Sequence, residues 1–467
     1  MSEQNQRKER DSLGEVSVPA GALYGAQTAR AIQNFPISGR AMPRVFISAV
    51  AAIKHAAAQT NGELGLLDGR RVEWIIAAAE EVMDGKWDDQ FPVDVFQTGS
   101  GTSTNMNVNE VIANRAIQLA GGELGSKTPV HPNDHVNLGQ SSNDVIPSAM
   151  HISASVEMHY WLLPELRRLA DALAAKARQF DAVVKIGRTH LQDAVPIRLG
   201  QEFGGYAAAV DKSIERLIHD LSNLAELAIG GTAVGTGLNT HERFAAGVCR
   251  RLSEGFEIAF REAADHFAAQ SILDTVAATA GDVKTAALTL GKIASDIRLL
   301  ASGPRCGLGE LVLPAIQPGS SIMPGKINPV ICESVIQVAC QILGIEAAIS
   351  AGAMGGVGSI FELNMCMPMI AVNLLDSIAL LSAAAEAFRT RCIDGLQANA
   401  ARCSDLVEHS LAMCTVLAAQ VGYDAAAEIA KTAFATGKTV RQVAMEKKVL
   451  PAEKLNELLD PMRQTGR

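Results

Sequence analysis

A chain of 467 residues with a formal net charge of −9 has room for about three domains at roughly 150 residues each, and its acidity argues against nucleic acid, which needs a basic face. Aromatic residues supply only 4% of the chain while apolar residues supply 48%, an alanine-rich balance that favours closely packed helices over a β-sandwich. The eight cysteines are scattered, without a Cys-x-x-Cys pair, which argues against a zinc or disulfide framework and fits reduced thiols in a cytoplasmic chain.

The polar stretch Met1–Arg10 lacks the apolar segment of a signal peptide. Apolar runs elsewhere are expected to be broken by charges before the roughly 20 residues that a membrane span needs, so no membrane partner is expected. Residues 1–140 read as a mainly helical first domain, with helices over Val45–Asn61 and Arg70–Met83 and loops at Asp88–Pro92 and Gly121–Asn133.

Residues 141–394 are far more regular. Leu162, Leu166, Leu169, Leu173, Ala177 and Phe180 are spaced by threes and fours, and so are Val210, Ile214, Leu217, Leu221, Leu224 and Ala228. The pattern returns in Val276, Ala280, Val283, Ala287, Leu290, Ala294 and Ile297, in Val335, Val338, Ile342, Ile345 and Ile349, and in Leu374, Ile378, Leu381, Ala385 and Phe388. These spacings predict a bundle of five long helices. Val330–Ser350 carries only Glu333 and Glu346, and a helix apolar nearly all round must be buried, so bundles are expected to associate into a homo-oligomer. Residues 395–467, with breaks at Gly422 and Gly437, read as a small C-terminal helical domain. The fold class expected is therefore all-α.

Chemistry is expected where polar residues interrupt these apolar elements. Thr98–Glu110 places Ser100, Gly101 and Thr102 ahead of a helix, where they read either as an N-cap or as a close backbone approach to a ligand. In His131–Asp144, the segment His131, Pro132, Asn133 and Asp134 lacks the glutamate of a zinc motif and has a proline between its histidines, which argues against a metal. Ser141, Ser142 and Asn143 open the next helix as an anion clamp or as its cap. His190 lies in Gly187–Pro196, a short connection between the first two bundle helices, where an imidazole near neutrality suits acid–base work.

The last cluster is Gly319-Ser-Ser-Ile-Met-Pro-Gly-Lys-Ile-Asn-Pro329. Its glycines and prolines cannot continue a helix, and they would expose Ser320, Lys326 and several backbone N–H groups around one small volume. It is not a P-loop, because Ile327 follows the lysine. It is not a Ser-x-x-Lys nucleophile, because Pro324 lies three residues after Ser321. Glu333, isolated on an apolar helix, needs a cationic or imidazole partner and is a candidate to orient His190. No Gly-x-Gly-x-x-Gly dinucleotide pattern is complete.

The 319–329 segment resembles the signature of the fumarase/aspartase superfamily, and the other clusters resemble its remaining signature regions in the same order. The likeness extends from Asp11-Ser-Leu-Gly-Glu15 and Tyr24-Gly-Ala-Gln27 to Gly422-Tyr423. Ser141-Ser142-Asn143 and Cys332-Glu333 are similar to class II fumarases, whereas the aspartate ammonia-lyases of the same fold usually carry Ser-Thr-Asn and Pro-Glu. The chain departs from the common pattern at Leu138-Gly139, Ile146-Pro-Ser148 and Cys366-Met367, none of which is an expected catalytic group.

The resemblance implies a three-domain fold around the five-helix bundle, a homotetramer whose active sites are shared between subunits, a small C4 dicarboxylate as substrate, and no metal or cofactor. The implied reaction is the reversible trans addition of water to fumarate giving (S)-malate, with aspartate ammonia-lyase as the alternative. By the same resemblance Ser320 is the base, and Lys326, Asn328 and Ser321 hold the carboxylate that gains charge. An older assignment makes His190 the base through a water. Ser100, Thr102, Asn143 and His190 would hold the departing hydroxyl, with Glu333 assisting His190, and Gly101 would line the substrate site. Ser141, Ser142 and Thr189 would grip carboxylate oxygens, and His131–Asp134 is similar to an accessory anion site.

Overall fold

The computed structural model describes residues 6–466; of the polar N-terminal stretch, residues 1–5 lie outside the described residues. The chain opens with a hairpin of β1 (Gln6–Asp11) and β2 (Gly14–Pro19), followed by α1 (Ala26–Asn34), α2 (Arg44–Glu63), α3 (Gly69–Met83) and α4 (Thr102–Leu119). The first long helical run joins α5 (Ser142–Glu157) through a single π turn at Met158–Leu162 to α6 (Leu163–Gln179). A second hairpin, β3 (Val184–Thr189) and β4 (Gln192–Arg198), leads into α7 (Leu199–Leu224). Two shorter helices, α8 (Phe244–Phe256) and α9 (His266–Ser271), precede α10 (Asp274–Leu300), α11 (Val330–Ala353) and α12 (Met367–Phe388). Strands among the described residues form only two-stranded sheets, so the fold is all-α as expected, and each of the five expected long helices is present.

The chain divides into two compact units. The first comprises residues 1–163, 216–284 and 341–380, and the second residues 164–215, 285–340 and 381–467. In the first, α2 packs against α3, α5 and α8. It can do so because alanines 49, 51, 52, 56, 57 and 58 are buried beside Phe46, Val50 and Ile53, and small side chains let helix axes approach closely. Helix starts follow their sequence signals. Asp68 accepts a hydrogen bond from the Arg71 N–H at 3.2 Å ahead of α3, and Ser141 with Asp144 forms a capping box on α5.

In the second unit, the last helices are α13 (Ala400–His409), α14 (Cys414–Val421), α15 (Tyr423–Thr436), α16 (Val440–Glu446) and α17 (Ala452–Leu458). They enclose a core of Val407, Leu417, Ile429, Val443 and Leu455 into which Ile186 of β3 inserts. That insertion anchors the β3–β4 hairpin. Gly437, left-handed at φ 68°, ends α15, as the sequence break predicts.

One expectation fails. Val330–Ala353 and Met367–Ile393 are, by length and composition, long and apolar enough to cross a membrane, because the few charges on them lie too far apart to interrupt the apolar run. Two thirds of the apolar stretch in the second is buried within the chain (67%), against 28% in the first.

Candidate active site

The first unit holds Ser100, Gly101, Thr102, Ser141, Ser142 and Asn143, and it brings them together at two helix N-termini. Thr102 opens α4 and Ser142 opens α5, and their hydroxyls are 2.7 Å apart. Ser100 extends the chain of hydroxyls, 2.8 Å from Thr102. Two glycines make this possible. Gly101 is left-handed (φ 69°) where the chain turns into α4, and a Cβ on Gly99 would lie 1.9 Å from the Met365 carbonyl oxygen. Orphan N–H groups and the positive ends of α4 and α5 accompany these hydroxyls, an arrangement suited to carboxylates.

The capping reading of Ser141 also holds: its hydroxyl accepts from the Asn143 N–H at 3.2 Å, and Asp144 accepts from the Ser141 N–H at 2.9 Å. The Asn143 side-chain amide donates to the Ala233 carbonyl at 2.8 Å. Asp144 is fully buried and also accepts from the N–H groups of Gly230 at 3.1 Å and Thr232 at 2.9 Å. Burial pushes its carboxyl up from 3.8 to about 6, against the pull of those three N–H groups.

Behind the cluster lies a residue that the sequence reading missed. Lys54 sits in α2, completely buried, and its ammonium donates to Asn105 at 2.7 Å, Asn137 at 2.8 Å and Gln140 at 2.9 Å. A single charge within the alanine-rich run Ala49–Ala58 was the available signal, the same kind of signal that marks Glu333.

His131 precedes a single π turn, Pro132–Val136, whose first N–H groups it caps. Its Nδ1 accepts from Asn133 at 3.2 Å and Asp134 at 3.1 Å. His135 Nδ1 accepts from the His131 N–H at 2.8 Å, so both histidines spend Nδ1 on backbone.

The second unit holds Thr189, His190, Ser320, Ser321, Lys326, Asn328 and Glu333. Thr189 and His190 are exposed, at the tip of a β-hairpin instead of in a plain interhelical connection. The two-residue loop His190–Leu191 has φ of 55° and 61°, the primed turn that matches hairpin twist. Neither residue is an Asn or Gly that adopts this conformation at low cost. Below the tip, Arg188 makes a two-pronged ion pair with the buried Glu310 at 2.8 and 2.9 Å, and buried Lys185 lies 3.6 Å from the same carboxylate.

In the 319–329 loop, Ser320 Oγ accepts from the N–H groups of Ile322 at 3.2 Å and Met323 at 3.1 Å. It borders, with Gly319 and Lys326, a concave space of about 490 Å³. Gly319 N–H donates to the Lys326 carbonyl at 2.8 Å, and Asn328 donates to the Gly319 carbonyl at 2.7 Å, closing the neck of the loop. A Cβ on Gly319 would lie 2.4 Å from the Lys326 carbonyl oxygen. Ser321 is exposed, and Glu333 stands half-buried in the first turn of α11. Within one chain the His190 imidazole and the Glu333 carboxylate form no hydrogen bond with each other.

Residues 14–344 match the family described as Lyase, and residues 413–466 the family described as Fumarase C C-terminus. The chain is 54% identical over 461 residues to a class II fumarate hydratase of Halobacterium salinarum, covering 99% of this chain and 97% of the relative. It is 50% identical over 469 residues to the mitochondrial fumarate hydratase of Rattus norvegicus, covering 100% of this chain and 92% of the relative. The crystal structure of a recombinant class II fumarase from Schistosoma mansoni superposes with a TM-score of 0.95 at 41% identity, covering 98% of this chain and 99% of that one. Matched over nearly its whole length at 41–54% identity, the chain belongs to the class II fumarate hydratase family.

Proposed function

We propose that Ser320 removes the C3 proton of malate in the reversible addition of water to fumarate that this chain catalyses. The enzyme is a carbon–oxygen lyase, and relatives at 50–54% identity that carry the fumarate hydratase name set aside aspartate ammonia-lyase. The observation that carries the assignment is the pair of N–H groups of Ile322 and Met323 on Ser320 Oγ. They stabilise the oxygen as it gains negative charge, and Lys326 on the same cavity adds a cation. The C3 proton is weakly acidic because its neighbouring carboxylate is already charged, so the developing dianion needs donors. Lys326 and Ser321 supply them here, joined by Asn328 once its amide is released from the loop neck. Each such donor contributes roughly 3–4 kcal/mol at the transition state.

Ser100, Thr102, Asn143 and His190 hold the departing hydroxyl, Glu333 polarises His190, and Ser141, Ser142 and Thr189 grip carboxylate oxygens over Gly101. His131, Pro132, Asn133 and Asp134 form an accessory anion site. We also propose a homotetramer whose active sites are shared between subunits. The support is α11: Leu343 on it is 48% exposed within one chain, and an apolar helix face of that length calls for a second copy. The proposal keeps the domain divisions 1–140, 141–394 and 395–467. It places the chain in the cytoplasm, where its eight free cysteines stay reduced.

The test mixes two inactive variants, Ser320→Ala and His190→Asn, and follows fumarate absorbance. Partial recovery in verified mixed tetramers is the expected result. No recovery would overturn the shared site, and full activity of Ser320→Ala alone would overturn the base.

A further inference from the structure

We infer that Lys54 is a positioning residue for the dicarboxylate clamp: its buried ammonium holds the hydroxyl and amide segments at the N-termini of α4 and α5 in register and supplies positive charge behind them. The inference rests on the reading that these segments hold the substrate.

The geometry is that of a hub. Lys54 reaches from α2 to three acceptors on two different stretches of chain, Asn105 at 2.7 Å, Asn137 at 2.8 Å and Gln140 at 2.9 Å, so all three of its protons are used. Asn105 lies one helical turn beyond Thr102 in α4, and Gln140 directly precedes Ser141. The acceptors are themselves tied together. Asn105 and Asn109 donate to the Asn137 side-chain oxygen at 3.2 and 3.1 Å, and Asn137 donates to the Gln140 carbonyl at 3.1 Å. Displacing Lys54 therefore disturbs the starts of both helices at once.

A neutral side chain would serve simple packing better. Burying an ammonium among neutral amide oxygens is costly, and no carboxylate touches it. The titratable group that acts on Lys54 is Asp144 of α5, whose oxygens are occupied by backbone N–H groups. The partners from α4 and from the 137–140 segment are uncharged. Desolvation lowers the Lys54 ammonium to about 7, so an arriving dianion would favour its protonated form. A buried cation with no carboxylate in direct contact, behind hydroxyls and helix N-termini, is the charge pattern that attracts a dicarboxylate.

The test uses two variants of the intact enzyme. Lys54→Met removes the charge at similar length. Asn137→Asp keeps the lysine and the shape but sets a carboxylate against it, cancelling the field. The measurements are kcat, KM for fumarate, the inhibition constant of the unreactive saturated C4 dicarboxylate succinate, and thermal midpoint. Both variants are expected to raise KM and the succinate inhibition constant together by about ten-fold, with a smaller change in kcat. Asn137→Asp gains an ion pair but gives up the amide's donation to the Gln140 carbonyl at 3.1 Å, so its thermal midpoint is expected to stay near that of the wild type.

A purely structural lysine predicts the opposite: folded variants whose KM and succinate inhibition constant stay within about two-fold of the wild type. That result overturns the inference. If Lys54→Met fails to fold, Asn137→Asp decides alone. A wild-type enzyme inert toward fumarate and malate would remove the underlying reading, whereas an active wild type with unchanged variants removes only the role of Lys54.

Discussion

Replacing Glu310 with alanine tests how the hairpin that carries His190 is held. The Glu310 carboxylate is fully buried and accepts both prongs of Arg188 at 2.8 and 2.9 Å, while Lys185, only 1% exposed, lies 3.6 Å away. Alanine leaves Arg188 without its two-pronged carboxylate partner and Lys185 with Glu202 at 3.4 Å and the Ile186 carbonyl at 3.0 Å. Removing one member of such a buried pair costs about 3–5 kcal/mol, because a charge stays behind uncompensated. The backbone hydrogen bonds of residue 310, to the Leu300 carbonyl at 2.9 Å and from the Asn399 N–H at 2.8 Å, survive the substitution, so the loss belongs to the carboxylate. At about 1.4 kcal/mol per decade, local opening of the hairpin should become about 10²- to 4 × 10³-fold more frequent. Amide hydrogen exchange read by mass spectrometry on a peptide spanning Val184–Arg198 measures this directly. Glu310→Gln, which keeps an acceptor for Arg188, should lose less. Acceleration below about five-fold, roughly 1 kcal/mol, in a folded Glu310→Ala enzyme would refute the view that this ion pair holds the hairpin.

Gly99→Ala should destabilise the first unit by about 1–3 kcal/mol and raise KM, since its Cβ would meet the Met365 carbonyl oxygen at 1.9 Å; urea unfolding and initial rates measure the two effects. Leu191→Asn should stabilise the hairpin by about 1 kcal/mol, because Leu191 holds φ at 61° while 73% exposed and Asn tolerates that region better; slower exchange across Gln192–Arg198 is the readout. The Asp144 carboxyl is raised from 3.8 to about 6 by burial, so the folded state favours its protonated form. The stability this contributes is full below about pH 4 and is lost as pH rises through about 6. Thermal midpoints of the wild type minus those of Asp144→Asn should therefore fall between those values and level off above them.

The five long helices were legible because apolar residues spaced by threes and fours leave a continuous stripe, and that stripe appears in each of them. The β3–β4 hairpin was not legible. Val184–Arg198 carries no Asn-Gly or Asp-Gly, and the turn at His190–Leu191 is imposed by Arg188–Glu310 and by Ile186 in the C-terminal core, contacts more than a hundred residues apart in the chain. The Ser320 loop announced itself by composition, and the structure adds the two N–H groups on its hydroxyl. Ser141 was read both as a cap and as a clamp, and its capping bonds are present. Asp144 was read only as part of that cap, and its burial was not legible; Lys54 was missed although it is a lone charge among apolar residues, so the rule that singled out Glu333 applied equally to it.

The order in which the two units draw on the chain has a consequence for biosynthesis. The chain passes between them five times, after residues 163, 215, 284, 340 and 380, each time within a long helical run. Neither unit is a continuous stretch, so neither can finish folding while its later segments are still inside the ribosome. The first unit lacks its last segment until Leu380 has emerged, tens of seconds into synthesis at about 5–20 residues per second. Until then its earlier segments stand with apolar stripes uncovered; truncation at any of the first four crossings leaves both units incomplete, and truncation after residue 380 leaves the second without its last segment. A nascent chain of this kind is a client for chaperones that shield apolar helices during translation, and it favours production at low temperature and slow synthesis.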